Sequence, residues 1–243
     1  MSPHSQIEVF PDKADLIYRA VEVVLTEAHK ALSHRDRFTI ALAGGSTPEP
    51  LYQALAKQEL PWDKVHVFWG DERYVPATDP QSNEGMARRA WLNHVPIPAS
   101  NIHSIPTSAA DPSEAAQQHE QELQSFFGTP SGEFPALDLI LLGIGDDGHT
   151  ASLFPGTPAL DVTDRLVTVG SKDGQPRITF THPLINQARL VLFLVTGASK
   201  LPALKAILSS KEDARQYPAR LIQPTGSLVW LLDEAAGSGL NLG

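Results

Sequence analysis

Leu137 to Gly156 reads LDLILLGIGDDGHTASLFPG, and this stretch decides the fold class. Leu137 to Leu142 is a short, unbroken apolar run, the pattern of a parallel strand buried on both faces. A glycine-rich loop, Gly143 to Gly148, then breaks it and carries two adjacent acids, Asp146 and Asp147. His149 and Thr150 follow, ahead of a short apolar segment that Pro155 and Gly156 stop. A buried strand whose carboxyl end opens on a loop bearing an acid and a histidine is where open α/β sheets place their chemistry.

Outward from this strand the chain alternates strands and helices. Gln6 to Phe10 reads as a short strand and Asp12 as the N-cap of an amphipathic helix, Lys13 to Ser33, whose Leu16, Ala20, Val24, Ala28 and Leu32 recur at helical spacing. Phe38 to Ala43 and Val65 to Trp69 are strong strands. The first runs into Gly44-Gly45-Ser46-Thr47-Pro48-Glu49, where the glycines permit a tight turn and Ser46 or Thr47 is placed to cap the next helix. Glu49 stands three residues after Ser46, as in a capping box. The second strand runs into a loop, Gly70 to Pro76. Helices are expected over Ser82 to Leu92 and Ser113 to Phe127. Downstream, Leu166 to Val169, Arg177 to Thr181, Arg189 to Thr196 and Ser227 to Leu232 read as strands. Gly197 to Lys200 leads into a helix over Leu201 to Leu208, and the glycines near the C-terminus suggest a loose tail. Such alternation implies βαβ units and a mainly parallel, Rossmann-like sheet in an α/β fold. No linker or repeat divides residues 1–243, which are read as one domain.

Composition narrows the function classes. The 243 residues are 42% hydrophobic and 19% charged, ordinary for a soluble globular protein. A net charge of -9 argues against general affinity for nucleic acid or acidic membranes, while leaving room for a local basic pocket. The absence of cysteine excludes disulfides, thiolate zinc sites and cysteine nucleophiles. The opening residues, MSPHSQIEVFPDK, lack the pattern of a signal peptide, so a cytoplasmic location is expected.

Three loops following strong strands are chemically dense, and a parallel sheet aligns them along one edge. Gly44 to Pro48 is either a phosphate site, its N–H groups turned toward an anion, or a capped turn without a ligand. Asp71, Glu72 and Arg73 form either a surface salt-bridge cluster or a site in which Arg73 offers its planar donor fork to a phosphate or lactone oxygen. Gly143-x-Gly145-x-x-Gly148 spells a dinucleotide fingerprint. Against nicotinamide stand the two aspartates, which would face a pyrophosphate, the helix cut short by Pro155, and the mid-chain position. His149 differs from the solvent-facing or helical His4, His29, His34 and His94: at a loop-to-helix junction it is expected to be neutral near pH 7, in either a catalytic or a capping role. No second ligand stands at metal-binding spacing on one element, so no metal is expected. Arg177 opens a strand and Lys200 a helix.

Together these stretches resemble the 6-phosphogluconolactonase family. The resemblance rests on ALAGGSTP (Ala41 to Pro48), FWGDERYVP (Phe68 to Pro76), SNEGMARRAWL (Ser82 to Leu92) and the Leu137 to Gly156 segment. PRITFTHPLINQAR (Pro176 to Arg189), FLVTGASK (Phe193 to Lys200) and YPARLIQPTGSLVWLLDEAA (Tyr217 to Ala236) extend it over nearly the whole chain. It implies a three-layer α/β/α domain akin to glucosamine-6-phosphate deaminase and ribose-5-phosphate isomerase. It also implies hydrolysis of 6-phospho-D-glucono-1,5-lactone in the pentose phosphate pathway, without a cofactor. One small departure is Leu201, where many members have alanine. The deaminases of this fold carry a further carboxylate shortly after the DGH motif, whereas Ser152 to Pro158 here contains no acid.

By this resemblance His149 is the general base, and Asp147 orients the imidazole or the water. Gly44, Gly45, Ser46 and Thr47 line the sugar-phosphate site. Arg177 and Lys200 are assigned to the phosphate and Arg73 to closing over the substrate, with Asp71 and Asn83 as further substrate contacts. The expected partner is a small sugar-phosphate lactone, with no nucleic acid or membrane, and the protein is expected to be a monomer or small homo-oligomer.

Overall fold

The computed structural model describes residues 5–209 and 213–240. In chain order the elements are β1 (Ser5–Phe10), α1 (Lys13–Arg35), β2 (Phe38–Leu42), α2 (Glu49–Leu55), β3 (Val65–Trp69), β4 (Asp71–Arg73), α3 (Asn83–Ala90) and α4 (Pro112–Phe127). They continue with β5 (Leu139–Leu142), β6 (Val167–Lys172), β7 (Gln175–Phe180), α5 (His182–Ile185), β8 (Leu190–Val195), α6 (Leu201–Leu208), β9 (Ser227–Asp233) and α7 (Glu234–Gly237). The expected loose tail is partly this last helix, which packs on β9; residues 241–243, like His4, lie outside the described residues.

Six strands form one parallel sheet in the order β1-β9-β8-β5-β2-β3. Every residue of β2, β5 and β8 is buried, which is why β5 and β8 read as unbroken apolar runs and β2 is interrupted only by Thr39, instead of alternating. Helices flank the sheet. Asp12 caps α1 as expected, accepting from the N–H groups of Ala14 at 2.8 Å and Asp15 at 3.0 Å, and α1 packs on β1, β2 and β9. At the far end of β5, buried Asp138 accepts from Arg35 at 2.8 Å and from the backbone N–H and hydroxyl of Thr39, both at 2.9 Å. This pinning joins the two central strands below the site.

The connectivity places the site. From β2 the chain moves outward to β3; from β5 it moves the opposite way, to β8 and β9. Loops leaving the carboxyl ends of β2 and β5 therefore diverge, and a crevice opens between them.

Two expectations are corrected here. Asp71–Arg73 is a strand within the expected loop: β4 pairs antiparallel with β7, which pairs with β6, in a second sheet. The chain crosses between sheets at Gly70, whose N–H donates to Leu42 O at 3.0 Å and whose carbonyl accepts from Phe180 at 2.8 Å. The β6–β7 turn is Asp173-Gly174, with φ of 52° and 78°, a tight hairpin that Asp-Gly favours. Second, neither Ser46 nor Thr47 caps α2. Its N-cap is Pro48, with no side-chain hydrogen bond, and no capping box forms. Thr47 instead bonds Thr196 across the crevice, Oγ1 to Oγ1, at 3.0 Å.

Candidate active site

The crevice encloses about 330 Å³. Gly44, Gly45, Ser46 and Thr47 line it from the β2 loop, and Asp71, Arg73 and Asn83 from β4 and the start of α3. His149, Arg177 and Lys200 complete the set from the β5 loop, β7 and the turn before α6. Of the residues expected from the sequence, Asp147 stands outside the lining and is joined to it by its contact with His149.

The β5 loop is built to join those two side chains. Asp147 Oδ1 accepts from the His149 backbone N–H at 3.1 Å and lies 2.5 Å from His149 Nδ1. A carboxylate only accepts, so Nδ1 carries the proton and Nε2 is left as the basic nitrogen. Gly145 is what allows this closeness. A Cβ there would lie 2.0 Å from Nδ1 and 2.5 Å from Asp147 Oδ1. The glycine spacing that imitates a dinucleotide fingerprint thus serves the approach of an imidazole and a carboxylate. Thr150 Oγ1 ties back to Gly143 O at 2.9 Å, and the Phe154 ring packs on the imidazole with centroids 4.5 Å apart.

No helix follows His149, contrary to expectation; Thr150 and Leu153 form an isolated bridge around a turn. Its neutrality has another origin. Burial pushes the imidazole below its ordinary pKa, against the Asp147 carboxylate, which raises it. For Asp147, burial acts upward, but the His149 N–H groups and the Lys172 charge outweigh it and hold the carboxyl below its ordinary range.

β4 and α3 position the second group. Glu72 is buried, and its carboxylate accepts from the N–H groups of Arg73 at 2.8 Å, Asn83 at 2.8 Å and Glu84 at 2.7 Å, and from Ser82 Oγ at 2.9 Å. Glu72 thus caps α3 from a neighbouring strand, so the Asp71–Arg73 triplet is not the surface ion-pair cluster weighed above. Asn83 Nδ2 donates to Asp71 O at 2.9 Å, and its amide lies so close to Gly44 that a Cβ there would fall 1.9 Å from Oδ1. Asp71 Oδ2 accepts from buried Ser152 Oγ at 2.6 Å.

The cations are arranged unusually. Arg73 and Arg177 are direct cross-strand partners. Neither has a direct carboxylate ion pair among the described residues; burial, then Arg73, lowers the pKa of Arg177 against the charges of Asp71, Glu72 and Asp173, which raise it. Arg73 Nη1 donates to Gln81 O, and Arg177 lies 5.6 Å from the centre of Phe154. Like charges opposed across strands are destabilising by themselves and suit an anion placed between them. Lys200 Nζ, by contrast, donates to Asp146 Oδ1 at 2.7 Å. Sequence reasoning missed Ser152, Phe154 and Asp146 as neighbours of the site. Their proximity comes from tertiary packing, and only the DGHTASLFPG context hinted at it.

Among the described residues no helix is long and apolar enough to cross a membrane, and no group of three or more His, Cys, Asp or Glu is placed to hold a metal ion.

Comparison with known proteins agrees with this architecture. The family model described as glucosamine-6-phosphate isomerases/6-phosphogluconolactonase matches residues 11–230. A 6-phosphogluconolactonase of Synechocystis sp. is 62% identical over 97% of this chain and 98% of its own length. The crystal structure of 6-phosphogluconolactonase from Thermotoga maritima superposes with a TM-score of 0.83 at 33% identity, covering 94% of this chain and 99% of that one. A monomeric glucosamine-6-phosphate deaminase, 20% identical with a TM-score of 0.79 over 96% of this chain and 99% of its own, shares the fold. A parallel sheet opening on a crevice lined by His149 and two arginines, with the family model matched over residues 11–230 and relatives matched nearly end to end, places this chain in the glucosamine-6-phosphate isomerase/6-phosphogluconolactonase family.

Proposed function

We propose that this protein hydrolyses 6-phospho-D-glucono-1,5-lactone to 6-phospho-D-gluconate, the lactonase reaction of the oxidative pentose phosphate pathway. The observation that carries the reading is the His149–Asp147 pair, 2.5 Å apart, at the wall of a crevice that also presents Arg73 and Arg177. His149 Nε2 takes a proton from water as the water oxygen attacks the lactone carbonyl carbon. Asp147 holds Nδ1–H and steadies the imidazolium that forms. The carbonyl π-electrons move onto oxygen, and Arg73, closing over the substrate, faces that oxyanion. When the carbonyl re-forms, the ring C–O bond breaks and the leaving ring oxygen receives the proton from His149. Arg177 and Lys200 hold the phosphate, and the Gly44–Thr47 loop, Asp71 and Asn83 contact the sugar. No step requires a cofactor.

The test follows freshly generated lactone in a lightly buffered pH-indicator assay, with the uncatalysed decay subtracted. Wild type accelerates decay, and His149→Ala lowers kcat by roughly 10²–10⁴-fold, the weight of a general base. Acceleration by both proteins alike removes His149 from its role. Acceleration by neither refutes the lactonase reading, and glucosamine 6-phosphate then becomes the substrate to assay.

A further inference from the structure

Asp146 has no part in the reaction above, yet it holds one of the cations that the reaction needs. Its Oδ1 accepts from Lys200 Nζ at 2.7 Å and from Ser199 Oγ at 3.2 Å. Lys200 lines the crevice and Asp146 does not, so the lysine is neutralised from outside the pocket. Arg73 and Arg177 have no such partner. The crevice therefore presents two guanidiniums without a direct carboxylate ion pair among the described residues, Asp71, Glu72 and Asp173 acting on Arg177 through their charge alone, and one ammonium already claimed by a carboxylate. The Asp146 side chain is 66% exposed against 25% for Lys200, so the carboxylate is the partner free to swing into water. It also neighbours Asp147 in sequence, whose negative charge opposes its own. A phosphate approaching Lys200 meets Asp146 as a rival anion on the same ammonium.

We propose that Asp146 is a competing carboxylate, holding Lys200 until a phosphorylated ligand displaces it and thereby setting the affinity of the site for the phosphate end of substrate and product. The proposal rests on the assignment of Lys200 to phosphate. Because the penalty applies equally to the lactone and to the acid formed from it, Asp146 weakens product binding as well as substrate binding and speeds the clearing of the site. Unphosphorylated sugars never contest Lys200 and escape the penalty.

The test is Asp146→Asn, which keeps an acceptor for Ser199 and removes the charge. Binding of 6-phosphogluconate and of gluconate is measured by calorimetry at low and high ionic strength, in the wild-type and Lys200→Met backgrounds. The expected result is that Asp146→Asn binds 6-phosphogluconate about two- to fivefold tighter at low salt, the range an exposed ion pair supports. The gain shrinks at high salt, is absent for gluconate, and vanishes when Lys200 is Met. Equal or weaker binding of 6-phosphogluconate by Asp146→Asn overturns the proposal, as does a gain that survives in Lys200→Met, which would belong to the general field of the loop. Wild-type protein that binds 6-phosphogluconate no better than gluconate refutes the phosphate site itself, and the proposal with it.

Discussion

Asp147→Asn isolates what the acid contributes to the base. The substitution keeps the side-chain shape and removes the charge from an oxygen that now lies 2.5 Å from His149 Nδ1 and 3.1 Å from the His149 backbone N–H. In the transition state the imidazole is protonated, and the bond to Asp147 becomes a charge-assisted one between ions. A hydrogen bond to a charged group contributes about 1.5–3 kcal/mol. The Asp147 side chain is 46% exposed, so solvent screening argues for no more than that range. At about 1.36 kcal/mol per decade this predicts a fall of about 10- to 150-fold in the plateau of kcat/KM. The pH profile supplies the second half of the test. His149 is held below its ordinary pKa chiefly by burial, against Asp147, which raises it. In wild type, kcat/KM therefore rises with pH through a midpoint below about 6.5 and is flat at neutral pH. Removing the Asp147 charge moves that midpoint lower still, while the plateau drops. The assay is the pH-indicator measurement from pH 4.5 to 7.5, with the spontaneous rate subtracted at each pH. A variant with the wild-type plateau, or with a midpoint that stays or moves upward, refutes the dyad.

Three further outcomes are expected. Arg177→Ala raises KM for the phosphorylated lactone by about 10- to 150-fold, the value of a charged hydrogen bond, and leaves unphosphorylated gluconolactone nearly unaffected; equal effects on both substrates would remove Arg177 from the phosphate. Gly145→Ala places a methyl group 2.0 Å from His149 Nδ1 and is expected to cost at least about 10²-fold in kcat/KM, the scale of an ångström's misplacement, while unaltered turnover would show that the loop tolerates a different dyad geometry. Away from the site, burial first, then His103 and Arg37, lower the pKa of His66 to about 4. The unfolded chain then binds more protons below pH 6.5, so stability falls as pH drops from about 6.5 toward 4, by on the order of 1–2 kcal/mol after screening. Denaturant melts of wild type and His66→Phe at pH 7 and pH 4.5 should show the smaller loss in the variant, and equal losses would discount His66.

Much of this was legible because one pattern served two ends. The unbroken apolar runs at Leu139 to Leu142 and Leu190 to Val195, and the run at Phe38 to Leu42 interrupted only by Thr39, are strands buried on both faces, and the chemistry lies directly after them. Elements failed to read true where a long-range partner decided the outcome. Asp71-Glu72-Arg73 has no local strand signal; it becomes β4 because β7 lies alongside, and the four donors to Glu72 offset part of the cost of burial, which still holds its carboxyl above the ordinary range. Ser46 carries the local chemistry of a cap, but the chain turns three residues further before α2 begins, leaving Pro48 at the N-cap. The helix terminus expected to disfavour the His149 imidazolium is absent, and burial lowers its pKa in its place. Ion pairing between Lys200 and Asp146 spans 54 positions and leaves no trace in the sequence.

The strongest local inconsistency in the fold is also its clearest functional mark. Arg73 faces Arg177 in register across β4 and β7, where an opposite charge or an apolar pair would stabilise the sheet. The surrounding residues do not relieve this repulsion by pairing. Glu72, the nearest acid in sequence, spends its lone pairs on the α3 N-terminus and on Arg73's backbone, and Asp71 accepts from Ser152. Asp71 and Glu72, with Asp173, act on Arg177 through their charge, but the hydrogen bonds of Asp71 and Glu72 position the elements that carry the guanidiniums and no direct ion pair forms among the described residues. A fold that satisfies its local rules almost everywhere else keeps two like charges opposed at the mouth of its crevice, and such departures concentrate where a ligand supplies the missing partner. An anion between the two arginines would relieve the repulsion. By linkage, phosphorylated ligands should then raise the melting temperature of the protein, and that rise should shrink when Arg177 is replaced.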